Sequence, residues 1–274
     1  QDSIWHYYFS SGELSYIAHF KDGLRTGEWN YYYLNGASYR KGDYSNDLRE
    51  GKWQTWYEDG VLLMDGNYHQ GKEEGVWYNY WENGALKNKV DFKAGLMHGT
   101  WFSYTPESVL TSTGKYKKGF KVGTWYSYYN NGRLKEKANY KIFTQTNVTN
   151  DMAIMGLKET VSDYHGKFEA FSQKDYQLKS SGNYYKGLKH GKWIDYYPGG
   201  VVPTIISEYK YGKLDGVFEQ LDPRGRPVYE IHYKHGLKHG PFIVYGENGQ
   251  VVSQKEFRYG KQVSSDGNGS LFTP

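Results

Sequence analysis

The chain has 274 residues, with 34 basic and 30 acidic side chains interspersed along it and a net charge of +4; no block of one sign forms a nucleic-acid stripe or a polybasic membrane anchor, so neither partner is implied. It contains no cysteine, which excludes disulfides, thiolate metal sites and cysteine nucleophiles. Aromatic residues make up 19% of the chain and the whole hydrophobic set only 38%, so Tyr and Trp must supply most of the apolar contact, a role suited to rings that pack one face and keep a polar tip wet.

From the N-terminus onward one frame returns. "TGEWNYYYLNG" at 26–36 is followed by "EGKWQTWYEDG" at 50–60, "EGVWYNYWENG" at 74–84 and "VGTWYSYYNNG" at 122–132. The glycine before the aromatic recurs as Gly27, Gly51, Gly75, Gly99 and Gly123, then as Gly166, Gly191, Gly216 and Gly240, and Trp5 marks a first copy with Ser3 in the glycine slot. A fixed period in this range is the signature of an array. The expected fold is all-β: an elongated antiparallel β-meander built from about ten 24-residue hairpin repeats, because short connections force neighbouring strands to run antiparallel.

Within a copy, the first strand carries the W-x-x-Y-Y core. It is expected to end in a two-residue hairpin turn at Asn35-Gly36, Asp59-Gly60, Asn83-Gly84 or Asn131-Gly132, dipeptides that tolerate positive φ. Ser108 and Asp175 take the turn-glycine slot in copies five and seven. The second strand runs to an aromatic at Phe20, Tyr44, Tyr68, Phe92, Tyr116, Tyr184, Tyr209, Tyr233 or Phe257, and a loop between two glycines, as in "GKEEG" at 71–75, leads into the next copy. Alternation of side chains places the tryptophan and the second tyrosine of the motif on one face and the first tyrosine on the other. Trp5, Trp29, Trp53, Trp77, Trp101, Trp125, Phe168, Trp193, Phe218 and Phe242 then form a core row, and Tyr8, Tyr32, Trp56, Tyr80, Tyr104, Tyr128, Phe171, Tyr196 and Tyr245 run opposite, partly exposed.

The period fails once, between Gly123 and Gly166. This divides the chain into six copies over 1–140, an irregular insertion over 141–165, four copies over 166–264 and a tail over 265–274. The insertion holds the apolar run "MAIMGL" at 152–157, and methionine adapts well to binding surfaces.

The pattern G-x-W-x-x-Y-Y-x-N-G-x-L followed by Y-K-x-G-x-x-x-G resembles the bacterial MORN-variant repeat of the YwqK family of antitoxins, over about residues 1–264. That resemblance implies a scaffold that binds and neutralises a partner protein, and it brings no catalytic residues. The aromatic frame also has some likeness to choline- and glucan-binding repeats, although the 24-residue period and the G-x-x-x-G loop favour the first resemblance.

Chemistry is not suggested elsewhere. His98, His165, His190 and His239 share the slot before the repeat glycine, which points to a loop role rather than the three or four convergent ligands a metal needs. "GKW" leads into a strand and not a phosphate-binding helix. The expectation is therefore a non-enzyme without cofactor or metal, whose partner is another protein, with a carbohydrate on the aromatic faces as the competing ligand. The expected contacts are Tyr80, Tyr104 and Tyr128 on the tyrosine row, Tyr7 on a first strand with no lysine or acidic guard after Asp2, and Met152, Ile154 and Met155 in the insertion. No apolar stretch approaches the roughly 20 residues that span a bilayer. A start at Gln1 reads as an experimental boundary or a processed mature end, with export to the periplasm or cell surface favoured over cytoplasmic residence.

Overall fold

A computed structural model describes residues 2–146 and 158–263. These residues form strands and turns only, in two units, 1–132 and 133–274. The division falls after the hairpin turn at Gly132.

In the first unit the strands are β1 (Asp2–Tyr8), β2 (Leu14–Lys21), β3 (Leu24–Arg25), β4 (Gly27–Tyr32), β5 (Ser38–Ser45), β6 (Leu48–Trp56), β7 (Leu62–His69), β8 (Lys72–Tyr80), β9 (Leu86–Lys93), β10 (Leu96–Tyr104), β11 (Leu110–Lys117) and β12 (Phe120–Tyr128). Each pairs antiparallel with its neighbour in sequence, β3 and β4 sharing β2 as partner. The second unit continues the same way with β13 (Leu134–Thr146), β14 (Lys158–Phe171), β15 (Leu178–Tyr185), β16 (Leu188–Tyr196), β17 (Pro203–Lys210), β18 (Lys213–Leu221), β19 (Pro227–Lys234), β20 (Leu237–Tyr245), β21 (Val251–Arg258) and β22 (Lys261–Val263). The all-β meander expected from the period is the observed architecture.

The two kinds of turn are exchanged relative to the sequence reading. Asn35-Gly36 closes a three-residue loop, in which Tyr33 N donates to Ala37 O and Gly36 N to Tyr33 O; only Gly36, at φ 81°, is left-handed. The two-residue turns lie at the other end of the hairpins. Gln70 and Gly71 both have positive φ (49° and 77°) between the paired residues His69 and Lys72, the backbone that matches strand twist. "GKEEG" is therefore already strand from Lys72 onward. Its final glycine sits inside β8 at φ 73°, where the register breaks between Asp65 and Asn67: the repeat glycine makes a bulge, a conformation a β-carbon would strain.

That bulge explains the G-x-W frame. Trp53 lies flat on Gly42 of the preceding strand, so close that an added β-carbon would stand 2.2 Å from its ring. Gly66 under Trp77, Gly114 under Trp125 and Gly182 under Trp193 repeat the arrangement. The break between Gly42 and Asp43 leaves the Asp43 carbonyl to accept the Trp53 indole N–H at 3.0 Å; Trp77 bonds Asn67 O and Trp193 bonds Asn183 O in the same way. Second-strand aromatics fill the gaps edge-on. Tyr44, Trp53, Tyr68, Trp77 and Phe92 follow one another at 5.0–6.0 Å between ring centroids with steep interplanar angles, contacts worth about 0.5–1.5 kcal/mol each beyond area burial. Cations from the loop ends cover the rings: Arg49 over Trp53 at 4.7 Å, Lys121 over Trp125 at 4.3 Å and Lys189 over Trp193 at 4.3 Å.

The tryptophan row is thus core at Trp29, Trp53, Trp77, Trp125 and Trp193, all at most 6% exposed. Trp5 breaks the pattern at 53% exposed, because among the described residues β1 pairs only with β2 and no preceding strand lies beneath the ring. The second tyrosine of the motif also departs from expectation. The register shifts between Tyr31 and Tyr32 and β4 ends at Tyr32, so Tyr33 leaves the tryptophan face and its hydroxyl donates to Trp56 O of the next copy at 2.7 Å. Tyr57 to Tyr80 O and Tyr197 to Leu221 O do the same.

The insertion is not irregular at its ends. Residues 141–146 and 158–165 extend β13 and β14, paired from Tyr140↔Tyr164 out to Thr146↔Lys158. In copy five Ser108 does take the left-handed turn position, at φ 63°. In copy seven the loop is one residue longer, closed by Ser172 N to Gln177 O, and Tyr176 rather than Asp175 is left-handed at φ 59°; Asp175 instead accepts Gln177 N and Gly199 N. Ser108→Gly is expected to stabilise the protein by about 0.5–1 kcal/mol, relief of left-handed strain exceeding the added unfolded-state entropy. The urea midpoint checks this; an unchanged or lower midpoint contradicts it.

Candidate interaction surface

The face opposite the tryptophans carries the candidate residues of the tyrosine row. Cross-strand pairing sets Tyr78 against Asp65 and Lys89, Lys89 against Phe102, Phe102 against Thr113 and Thr113 against Tyr126. Tyr80 lies beside Tyr78 and Asp65, and burial first, then the Asp65 charge, raises its phenol pKa. Tyr128 lies beside Tyr126, with its pKa raised mainly by burial. Tyr104 holds the equivalent place at the end of β10. Three consecutive copies thereby present the half-buried pairs Tyr78/Tyr80, Phe102/Tyr104 and Tyr126/Tyr128 on one face. Beside the last pair is an open depression of about 390 Å³ lined by Thr100, Thr113, Val122, Thr124 and Tyr126, among others.

Tyr7 does not join them. It stacks on Tyr16 at 4.2 Å, which packs on Trp29 at 6.0 Å, so Tyr7 belongs to the tryptophan face, at the edge. Met152, Ile154 and Met155 lie outside the described residues.

The slot before the repeat glycine has a structural role that recurs. Glu50 accepts Gln70 N, Glu74 accepts Ala94 N, Asp215 accepts His235 N and His239 Nδ1 accepts Tyr259 N, each side chain holding the left-handed residue of the next two-residue turn. His165 and His190 fill the slot differently. Their rings lie among Phe143, Tyr185 and Tyr211 at 5.1–5.7 Å, and their Nδ1 atoms are buried without a hydrogen-bond partner. Burial, then the charges of Lys141 and Lys186, pushes the His165 pKa down, so this imidazole is neutral where an exposed one would begin to titrate. Among the described residues no three His, Asp or Glu side chains gather as a metal-binding group.

Sequence reasoning found the tryptophan and tyrosine rows but missed the residue beneath each tryptophan. The signal was present: Gly42-Asp43-Tyr44, Gly66-Asn67-Tyr68, Gly114-Lys115-Tyr116 and Gly182-Asn183-Tyr184 each precede the next tryptophan at the same spacing.

Four stretches, residues 49–70, 73–94, 121–141 and 238–259, match the family profile described as MORN repeat variant. No curated protein matches the chain. Among solved structures, a crystal structure of TcdB2-TccC3-Cdc42 matches at 10% identity and TM-score 0.21, covering 96% of this chain and 15% of that one. A Photorhabdus luminescens Tc holotoxin pore matches at 10% identity and TM-score 0.21, covering 92% and 16%. The chain therefore spans a small fraction of those proteins' length, and at such TM-scores the likeness carries no argument.

Proposed function

We propose that this array of MORN-variant repeats is a non-catalytic scaffold that binds another protein, and that it acts as an antitoxin-like protein by holding that partner in an inactive complex. The observation that supports the reading is the strip Tyr78/Tyr80, Phe102/Tyr104 and Tyr126/Tyr128, half-buried aromatic residues repeated on the face that the tryptophan core does not use. Tyrosines at such density supply large contact area at low entropic cost and keep a hydroxyl for hydrogen bonding. The opposite face is committed to packing, with its rings edge-on to one another and capped by cations. Protein partners are favoured over a basic-patch ligand because charge is mixed along this face, with Asp65 and Lys89 on either side of Tyr78. An extracytoplasmic site of action is part of the proposal.

The test places a photo-crosslinking amino acid at Phe102 in the native host. A discrete protein adduct is expected, and it should disappear when Tyr80, Tyr104 and Tyr128 are all changed to alanine while the circular dichroism spectrum is retained. Adduct formation that survives the triple change would remove this face from the proposal. Binding to isolated cell-wall glycan that the triple change abolishes would replace the protein partner with a carbohydrate.

A further inference from the structure

The two ends of the hairpins in the second unit differ in charge. The three-residue loops mix the signs: Asp175 stands beside Lys174, and Asp222 is ion-paired with Arg226. The two-residue turns do not. Lys186, Lys189, Lys210, Lys213, Lys234 and Lys238 surround the turns at Lys186-Gly187, Tyr211-Gly212 and His235-Gly236, and among the described residues none of the six is ion-paired. Two carboxylates lie near, and both hold backbone: Asp163 accepts Tyr164 N and Asp215 accepts His235 N. On the same kind of edge in the first unit, Arg25 and His69 have carboxylate partners, Asp47 and Glu50. The six lysines recur 24 or 25 residues apart, so the sequence shows no basic block and the fold collects one.

These turns are tied into a row. Gly187 N donates to Tyr164 O at 2.9 Å, Gly212 N to Lys189 O at 2.8 Å and Gly236 N to Leu214 O at 2.7 Å, so the turn glycines have no N–H left for an incoming strand. Successive turns are two strands apart, about 9.6 Å at the usual strand spacing. Between the cations lie Leu188, Tyr211 and Leu237, exposed by 47%, 53% and 49%. Leu188 rests on Gly212, where an added β-carbon would stand 3.3 Å from its Cδ2, and Leu237 rests on Gly260 in the same way at 3.8 Å. A further turn follows each of the three, so their exposure belongs to the edge and not to a chain end.

A complement to this edge must bring negative charge at the same pitch, together with apolar groups for the leucines. An α-helix presents the same face every seven residues, about 10.5 Å, close to the pitch of the turns. It also satisfies its own backbone, which suits an edge whose glycine N–H groups are spent. A nucleic acid fits less well, because Tyr185 and Tyr211 pack against His190 at 5.7 and 5.1 Å instead of standing as free platforms for bases. A bilayer fits less well, because Leu188 and Leu237 lie along the turns.

We propose that the two-residue-turn edge of the second unit binds an acidic amphipathic helix of a partner protein, with carboxylates at seven-residue spacing over the lysines and apolar residues between them over Leu188, Tyr211 and Leu237. Charge supplies attraction that salt weakens, and the apolar contacts set the register. This rests on the reading above that the partner is a protein, and it names the chemistry of one of that partner's surfaces.

The probe is a fluorescein-labelled peptide of three EAALEAQ heptads, whose glutamates and leucines share one helix face. Titrated with the full chain and followed by anisotropy, it is expected to bind saturably, and at least tenfold more weakly when Lys210, Lys213 and Lys234 are all changed to glutamine. These three are exposed, so the variant should keep its circular dichroism spectrum. Changing the exposed Lys174, Lys179 and Lys192 to glutamine removes the same charge elsewhere and should leave binding within twofold. No saturation at millimolar concentration, equal weakening by the two triple variants, or equal binding of a scrambled peptide of the same composition overturns the proposal. So does tighter binding of phosphatidylglycerol-containing vesicles or of a single-stranded DNA oligonucleotide that the Lys210, Lys213 and Lys234 changes abolish, which would make a lipid surface or a nucleic acid the occupant. The chain with Tyr80, Tyr104 and Tyr128 changed to alanine should bind the peptide unchanged. A failed titration beside a successful crosslink at Phe102 therefore sinks the edge alone, and the reverse outcome sinks the tyrosine face alone.

Discussion

Trp77→Ala is expected to destabilise the first unit by about 3–5 kcal/mol, the range for removing a large aromatic from a packed core. The ring is 3% exposed. It lies against Gly66 on one face and meets Tyr68 and Phe92 edge-on at 5.0 and 6.0 Å. A single sheet layer has no second layer that can settle into the space, so the cavity term is added to the transfer term. The Asn67 carbonyl also loses the N–H it accepts at 3.2 Å, a further cost of about 1 kcal/mol. Trp5→Ala provides the contrast. With more than half of the ring already in water, the change is expected to cost about 0.5 kcal/mol, as surface substitutions do. Urea unfolding followed by far-ultraviolet circular dichroism measures both, and similar small losses at the two positions would contradict the packed-row account.

Gly66→Val is expected to cost nearly as much as removing the tryptophan. A β-carbon at this position would stand 2.1 Å from Cδ2 of Trp77 and 2.4 Å from Cε2, a distance no relaxation of side chains alone can absorb. The indole must lift, giving up its bed, its edge contacts and its hydrogen bond, so the loss should reach or exceed the roughly 1–3 kcal/mol typical of overpacking. Copy five shows the outcome in a natural form. Val90 faces Trp101, whose indole N–H no longer reaches a carbonyl of the preceding strand but goes forward to Ser112 Oγ at 3.2 Å, and the ring is only partly buried. The decisive measurement is the double variant. With Trp77→Ala in place, Gly66→Val should become neutral or stabilising, because valine favours a strand once nothing lies above it. Additive losses would mean that the glycine serves some purpose other than receiving the indole.

The same pairing of large with small residues shows how far periodicity can be read. A recurrent frame establishes which residues are equivalent, so the ten copies, the all-β class, the tryptophan row and the aromatics closing each second strand were legible from spacing alone. Equivalence does not reveal what an equivalent residue touches. Asn35-Gly36 looked like the tight turn because asparagine and glycine both tolerate positive φ, yet Asn35 is not among the left-handed residues and its side-chain oxygen accepts Ala37 N. Gln70-Gly71 carries no such signature and nevertheless forms the two-residue turn, with Glu50 holding Gln70 N at 2.8 Å. Neighbouring copies impose that conformation, and it overrides local preference.

What the sequence by itself determined is the repeat and the identity of the residues each copy must bury. The tertiary structure alone decided the offsets between them. Because side chains on a strand alternate with a period of two, one bulge at a repeat glycine changes which residue faces a given neighbour. The bulge aims Trp53 at Gly42 and frees the Asp43 carbonyl for its indole, and the register shift near the strand end sends Tyr33 to Trp56 O instead of leaving it on the core face. Trp5 has the same motif as its equivalents and is 53% exposed, since burial here depends on a neighbouring strand and among the described residues β1 pairs only with β2.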